Sequence, residues 1–193
     1  IHATPGEGTA VRWIVIVLTT VVAAAASLVF SLVSTPVYEA CTRLYVSTGS
    51  SSSSVTEVYQ GNLASQQRVA SYTQLLGGES VAQRTIDSLG LAMSPSALAA
   101  KVRTTSSPDT VLIDTCVSDA NPTTARDLAN GIGGTFVGFV DDLETPPGGG
   151  AALAKVSVVE PAQVPDGPVS PKTTRNLALG VAVGLLLGVL AWA

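Results

Sequence analysis

WIVIVLTTVVAAAASLVFSLV, residues 13–33, is a run of 21 residues without a charge. As a helix rising 1.5 Å per residue it is roughly 31 Å long, the thickness of a bilayer's hydrocarbon core. Arg12 stands at its entrance, and Trp13 suits the interface between lipid and water. A second run, LALGVAVGLLLGVLAWA, fills residues 177–193 and makes about 25 Å of helix. Its Gly180, Gly184 and Gly188 suit close helix–helix packing in lipid. This span is expected to run on beyond Ala193. A cleaved signal peptide is the rival for the first run, because Ala23 to Ala26 resembles a small-residue cleavage region. Signal cores are shorter, about 7–15 residues, so an anchor is the better reading. The chain opens at Ile1, so a processed or longer natural N-terminus is expected.

Composition agrees with two spans around one domain. The chain is 46% hydrophobic but only 12% charged and 5% aromatic, so aliphatic residues exceed what one soluble core needs. The apolar content excludes disorder. A net charge of −4 argues against nucleic acid, which requires a basic surface. No repeat in the range of about 20–50 residues marks a solenoid. The layout expected is a juxtamembrane segment over 1–11, a first span over 12–34, an α+β domain over 35–161, a proline-rich linker over 162–176 and a second span over 177–193. Both chain ends then share the cytoplasmic side. Arg12, Lys172 and Arg175 give the positive-inside rule little to choose between.

In the middle region, Tyr38 to Ser47 alternates as a strand, with Tyr38, Ala40, Thr42, Leu44 and Val46 on one face. Ser50 to Ser54 is a polar loop. Val55 to Leu76 reads as a helix through Leu63, Val69, Tyr72 and Leu76, stopped by Gly77-Gly78. Ser80 is expected to cap a helix over Val81 to Leu89 that ends at Gly90. Ser94-Pro95 opens a short helix. Lys101 to Ser106 and Thr110 to Ser118 flank Ser107-Pro108-Asp109 as a hairpin. Asn121-Pro122 opens the strongest helix, with Ala125, Leu128, Ile132, Phe136, Phe139 and Leu143 as its apolar stripe. Pro146-Pro147 ends it, and Lys155 to Glu160 is a last strand before Pro161, Pro165, Pro168 and Pro171. Helices on one face of a small sheet, an α+β sandwich, is the fold class.

Candidate chemistry is sparse. His2 is the sole histidine, and the layout separates it from the middle domain, so a histidine triad or metal site is not expected. Cys41 and Cys116, the two cysteines, lie in expected strands. Cys41 falls on the face opposite Leu44, and Cys116 opposite Ile113 and Val117. A disulfide and two free thiols both remain open, because pairing needs neighbouring strands and a shared face. Without histidines the two are not a zinc site. Asp141, Asp142 and Glu144 sit where a helix dipole disfavours acids. They read as a solvated helix end rather than a cation site, which takes about six to eight oxygens. Ser50 to Ser54 lacks a base to activate a nucleophile. Gly131, Gly133 and Gly134 do not follow a strand, so they are no dinucleotide fingerprint. Close packing against the sheet or another subunit explains them better. Arg68, Arg84, Arg103 and Arg126 form an anionic-sugar path or, more simply, scattered surface charge. No cofactor is expected.

Before the second span stands Pro165-Asp166-Gly167-Pro168-Val169-Ser170-Pro171-Lys172, and Gly184 and Gly188 follow at fixed distance. This resembles the proline-rich signature of the chain-length-determinant (Wzz-type) family of polysaccharide co-polymerases, P-x2-P-x4-S-P-K followed by G-x3-G. Pro165, Ser170, Pro171, Lys172, Gly184 and Gly188 match. Position 162 is alanine where the pattern has its first proline, and Pro161 is one place early. The short middle region is similar to the Gram-positive and actinobacterial form, which is associated with a cytoplasmic tyrosine autokinase. The resemblance implies a plasma-membrane protein of two passes with its middle domain outside the cytoplasm. It implies a homo-oligomer that touches lipid and a polysaccharide polymerase, biases the length or export of an exopolysaccharide or capsule, and catalyses nothing in this region. A kinase domain beyond residue 193 is a further implication. The alternative is an extracytoplasmic sensor signalling through two spans, but nothing marks a ligand pocket, and a proline-rich approach to the membrane suits a sensor poorly.

Overall fold

The computed structural model describes residues 7–48, 55–107, 110–150 and 152–192. In chain order the elements are α1 (Glu7–Val33), β1 (Tyr38–Thr48), α2 (Val55–Leu76), α3 (Glu79–Leu89), α4 (Pro95–Ala99), β2 (Val102–Ser106), β3 (Leu112–Asp119), α5 (Pro122–Glu144), β4 (Ala154–Glu160) and α6 (Thr173–Trp192). They form two compact units, residues 1–37 with 168–193 and residues 38–167. The fold is α+β, with two apolar helices at the ends of the sequence and a small antiparallel sheet domain between them.

The first unit is a helical hairpin. Trp13–Val33 of α1 and Thr173–Ala191 of α6 are each long and apolar enough to cross a membrane. Helix α6 begins at Thr173 rather than at Leu177, because helical hydrogen bonding extends into the polar residues before the apolar run. The two helices are antiparallel: Ser27 meets Asn176 near one end, and Gly188 meets Ile16 near the other.

The second unit is a four-stranded antiparallel sheet in the order β2-β3-β1-β4, with helices on one face. Period-two alternation decides which residues go inside. Ala40, Leu44 and Val46 of β1 and Ile113 and Val117 of β3 are buried, while Cys41, Arg43 and Tyr45 point the other way. Helix α5 starts where the sequence marks it. The Asn121 side chain accepts from the amides of Thr123 and Thr124, and Pro122 takes the first turn, where no amide is needed. Its buried stripe is Ala125, Leu128, Ile132, Phe136 and Val140. Phe139 is only partly buried, and Leu143 is 55% exposed, so the expected stripe is corrected at its end. Leu143 sits one residue from the end of α5, past the last core contact at Val140.

Helix α3 also departs from expectation. Its N-cap is Gly78, extended at φ −84° and ψ 160° with no side-chain cap, and Ser80 lies inside the first turn. The Ala82 amide bonds the Gly78 carbonyl at 3.2 Å, which starts the helix before Ser80 can cap it. The stop is as read: Gly90 takes a left-handed φ of 63°, open to glycine without steric cost. Ser94 caps α4 by accepting from the Ala97 amide. The expected loop at Ser50 to Ser54, the Leu63 side chain and the Pro108-Asp109 turn lie outside the described residues, as does His2.

Candidate functional site

The signature residues divide between the units. Ser170, Pro171, Lys172, Gly184 and Gly188 belong to the helical hairpin, and Pro165 belongs to the α/β unit. In the hairpin, the Val37 amide donates to the Ser170 carbonyl at 2.9 Å, and the Val169 amide donates to the Val37 carbonyl at 2.8 Å. This two-bond bridge joins the end of the segment after α1 to the start of the segment before α6. Lys172 and Arg175 are exposed beside it.

Within the hairpin the glycines are spent on close approach. A Cβ on Gly184 would lie 2.6 Å from the Thr20 Cα and 3.0 Å from the Ala23 Cβ. On Gly180 it would meet the Ser27 Cβ at 2.7 Å, and on Gly188 the Ile16 Cα at 2.8 Å. Bringing helices this near lets polar groups bridge them. The Thr19 hydroxyl donates to the Gly184 carbonyl at 3.3 Å, the Ser27 hydroxyl to the Asn176 carbonyl at 2.6 Å, and the Asn176 amide to the Ser31 hydroxyl at 3.1 Å. Lipid tails are as apolar as leucine, so packing and such bonds, about 0.6–2 kcal/mol each, hold spans together rather than a hydrophobic drive.

In the α/β unit, position 162 explains its own departure from the proline pattern. The Ala162 amide donates to the Asn130 Oδ1 at 2.8 Å, and the Asn130 Nδ2 returns a bond to the Ala162 carbonyl at 3.1 Å. Proline at 162 has no amide to give. This reciprocal pair fastens the chain after β4 to α5, and only the missing proline hints at it in the sequence. Ala162→Pro is expected to destabilise the unit by about 1–3 kcal/mol, the cost of leaving such an acceptor unpaired. Urea unfolding measures it, and an unchanged midpoint would contradict it.

Cys41 and Cys116 are direct register partners on β1 and β3, and their sulfurs are bonded. The pair sits on the sheet face away from the helices, with Cys41 exposed and Cys116 half-buried.

Two of the four arginines reach the acidic helix end, so Glu144 is not merely solvated, while Asp141 and Asp142 are exposed as expected and Arg103 and Arg126 stay apart from it. Arg68 pairs with Glu144, Arg84 pairs with Asp142 and lies over the Phe139 ring, and Arg126 pairs with its neighbour Asp127. Arg103 has no acidic partner among the described residues. Tyr72 also donates to Glu144, at 2.6 Å. Burial and the adjacent carboxylate push the Tyr72 phenol up to about 12. Burial pushes the Glu144 carboxyl up, but hydrogen bonds from Tyr72 and Arg68 and the Arg68 charge outweigh it and hold the group below its ordinary 4.5. A folded value below the unfolded one means stability that is present above pH 4.5 and lost as pH falls through the depressed value. Glu144→Gln is therefore expected to flatten the acid limb of a stability-against-pH curve. A curve superimposable on wild type would contradict the pairing.

Gly133 faces β1, where a Cβ would stand 3.2 Å from the Thr42 Cγ2, and Gly131 faces Leu89 of α3. Gly134 meets nothing within 4 Å, so packing inside the subunit explains two of the three glycines. No group of three or more His, Cys, Asp or Glu is placed to hold a metal among the described residues.

Residues 10–89 match the family model described as chain length determinant protein, Wzz. The chain is 28% identical over 176 residues to the probable capsular polysaccharide biosynthesis protein YwqC of Bacillus subtilis (strain 168), covering 89% of this chain and 67% of that one. It is 27% identical over 165 residues to the capsular polysaccharide biosynthesis protein CpsC of Streptococcus agalactiae, covering 83% and 67%. It is 23% identical over 176 residues to CpsC of Streptococcus pneumoniae, covering 91% and 74%.

Proposed function

We propose that this chain, which carries a chain length determinant (Wzz) domain, is a non-catalytic co-polymerase subunit that sets the length or export of a capsular or extracellular polysaccharide. The observation that carries the reading is that three residues of the pattern hold the helical hairpin together. Ser170 bridges Val37, and Gly184 and Gly188 seat α6 against α1. The residues that resemble the family pattern thus do connected physical work. The similarity to capsular polysaccharide biosynthesis proteins supports the same substrate class.

In this reading α1 and α6 cross the plasma membrane as a pair, and the α/β unit lies outside the cytoplasm. Subunits assemble with copies of themselves and bias how long a polymerase extends its glycan before release. The proposed partners are the lipid bilayer, the polymerase and a cytoplasmic tyrosine autokinase. The subunit's part is mechanical: the Val37–Ser170 bridge ties the two spans at the surface of the hairpin, so a displacement of one is passed to the other.

The test is the size distribution of surface polysaccharide in cells lacking this protein, with and without the wild-type gene restored. A lost or shifted modal length that wild type restores supports the reading. An unchanged distribution and amount overturns it and turns attention to residues 35–174 as a sensor.

A further inference from the structure

The sheet of the α/β unit has two edges, β2 and β4. All its neighbouring strands are antiparallel, so with four strands the two edges run in opposite directions. A copy set beside another by simple repetition brings its β2 against the first copy's β4 as an antiparallel pair. An unpaired edge presents a row of backbone donors and acceptors to another chain. The β4 edge also keeps apolar surface in reserve, with Val158 40% and Val159 59% exposed. Beside it runs a groove of about 240 Å³ lined by Val137, Gly138, Asp141, Lys155 and Val156.

We infer that a second copy of this chain docks its β2 edge on this β4 edge, head to tail. The inference deepens the self-association proposed above and rests on it. Charge selects the register. The outward face of β4 shows Lys155, Ser157 and, after the register shift that brings it opposite Arg43, Glu160. The outward face of β2 shows Arg103 and Thr105. Setting Ser157 against Thr105 carries Arg103 to Glu160, whose carboxylate already takes Arg43 of its own subunit at 3.0 Å but stays 66% exposed and open to a second cation, and leaves Lys155 against Ser107. Sliding β2 four residues the other way sets Arg103 against Lys155, two like charges. Among the described residues Arg103 is also the arginine of this unit without an acidic partner, since Arg43, Arg68, Arg84 and Arg126 each hold a carboxylate. Self-pairing of two β4 strands would leave both β2 edges open. Head-to-tail pairing uses both edges, and equal rotations at each step close such a chain into a ring.

The test places Thr105→Cys and Ser157→Cys in the same full-length chain and oxidises membranes with copper phenanthroline. Both positions are exposed, and the native pair Cys41–Cys116 is already joined, so the introduced thiols are the ones that report. Non-reducing gels are expected to show dimer, trimer and higher rungs from the double variant that neither single variant gives. Arg103→Glu is expected to remove the rungs, and Glu160→Arg added to it to restore them. Dimers from Ser157→Cys alone would replace the inference with β4 self-pairing. Absent rungs from a chain that still sizes as a multimer in detergent would overturn the edge interface and leave self-association standing. A chain that sizes as a monomer would overturn both.

Discussion

Gly184→Leu is expected to abolish restoration of polysaccharide length while the protein still accumulates in the membrane. The reason is steric and local. A bare Cβ at this position already falls 2.6 Å from the Thr20 Cα and 3.1 Å from the Thr19 carbonyl, and backbone atoms of a facing helix cannot turn aside as a side-chain tip can. A leucine side chain must push α6 away from α1, which also breaks the bond from Thr19 to the Gly184 carbonyl. In lipid nothing compensates, because separated spans lose dispersion and hydrogen bonds without exposing apolar surface to water. Gly134→Ala is the matching control. It too replaces a helix glycine, but a Cβ there meets nothing within 4 Å. It is expected to be neutral or to stabilise α5 by up to about 1 kcal/mol, the helix preference of alanine over glycine. Full restoration of length by Gly184→Leu would show that the close approach is not used.

The second large effect is expected at the cystine. Joining residues 75 apart removes loop freedom from the unfolded chain, about 4 kcal/mol in the chain-entropy model. Both sulfurs lie on the sheet face away from the core, so Cys41→Ser with Cys116→Ser leaves no cavity under the helices, and the loss acts through the unfolded state. For a urea slope of about 1–3 kcal/mol per molar, the unfolding midpoint of the α/β unit should fall by roughly 2 M. Circular dichroism of the detergent-solubilised protein, oxidised and reduced, reads it directly. A drop below about 0.3 M would mean that the reduced chain keeps β1 and β3 together when unfolded, and that the entropy argument fails here.

The features legible in the sequence are those whose cause lies within a few residues. Asn121-Pro122 and Ser94-Pro95 start helices because a side-chain oxygen reaches amides two or three residues on. Gly90 ends α3 because its own backbone turns left-handed. The two apolar runs read as spans because uncharged stretches of 21 and 17 residues approach the length that a bilayer needs. The one cap misread, Ser80, failed on a local competition that Gly78 won through its carbonyl.

What the sequence by itself determined is therefore the list of elements, the faces that β1 and β3 bury and a proline-glycine pattern that resembles the chain length determinant signature. Which residues meet was decided only by the tertiary structure. Cys41 and Cys116 bond because the register of β1 on β3 sets them opposite each other. Glu144 at the end of α5 finds Arg68 and Tyr72 on α2, and Asn130 finds Ala162, because the helices are laid on one sheet face in one order. Gly184 names a close approach, but only the pairing of α6 with α1 says that Thr20 is what it approaches. The physical reason is range. Capping, periodicity and hydrophobic length act over a few covalent bonds, whereas register and helix packing are settled by the burial of the whole core at once.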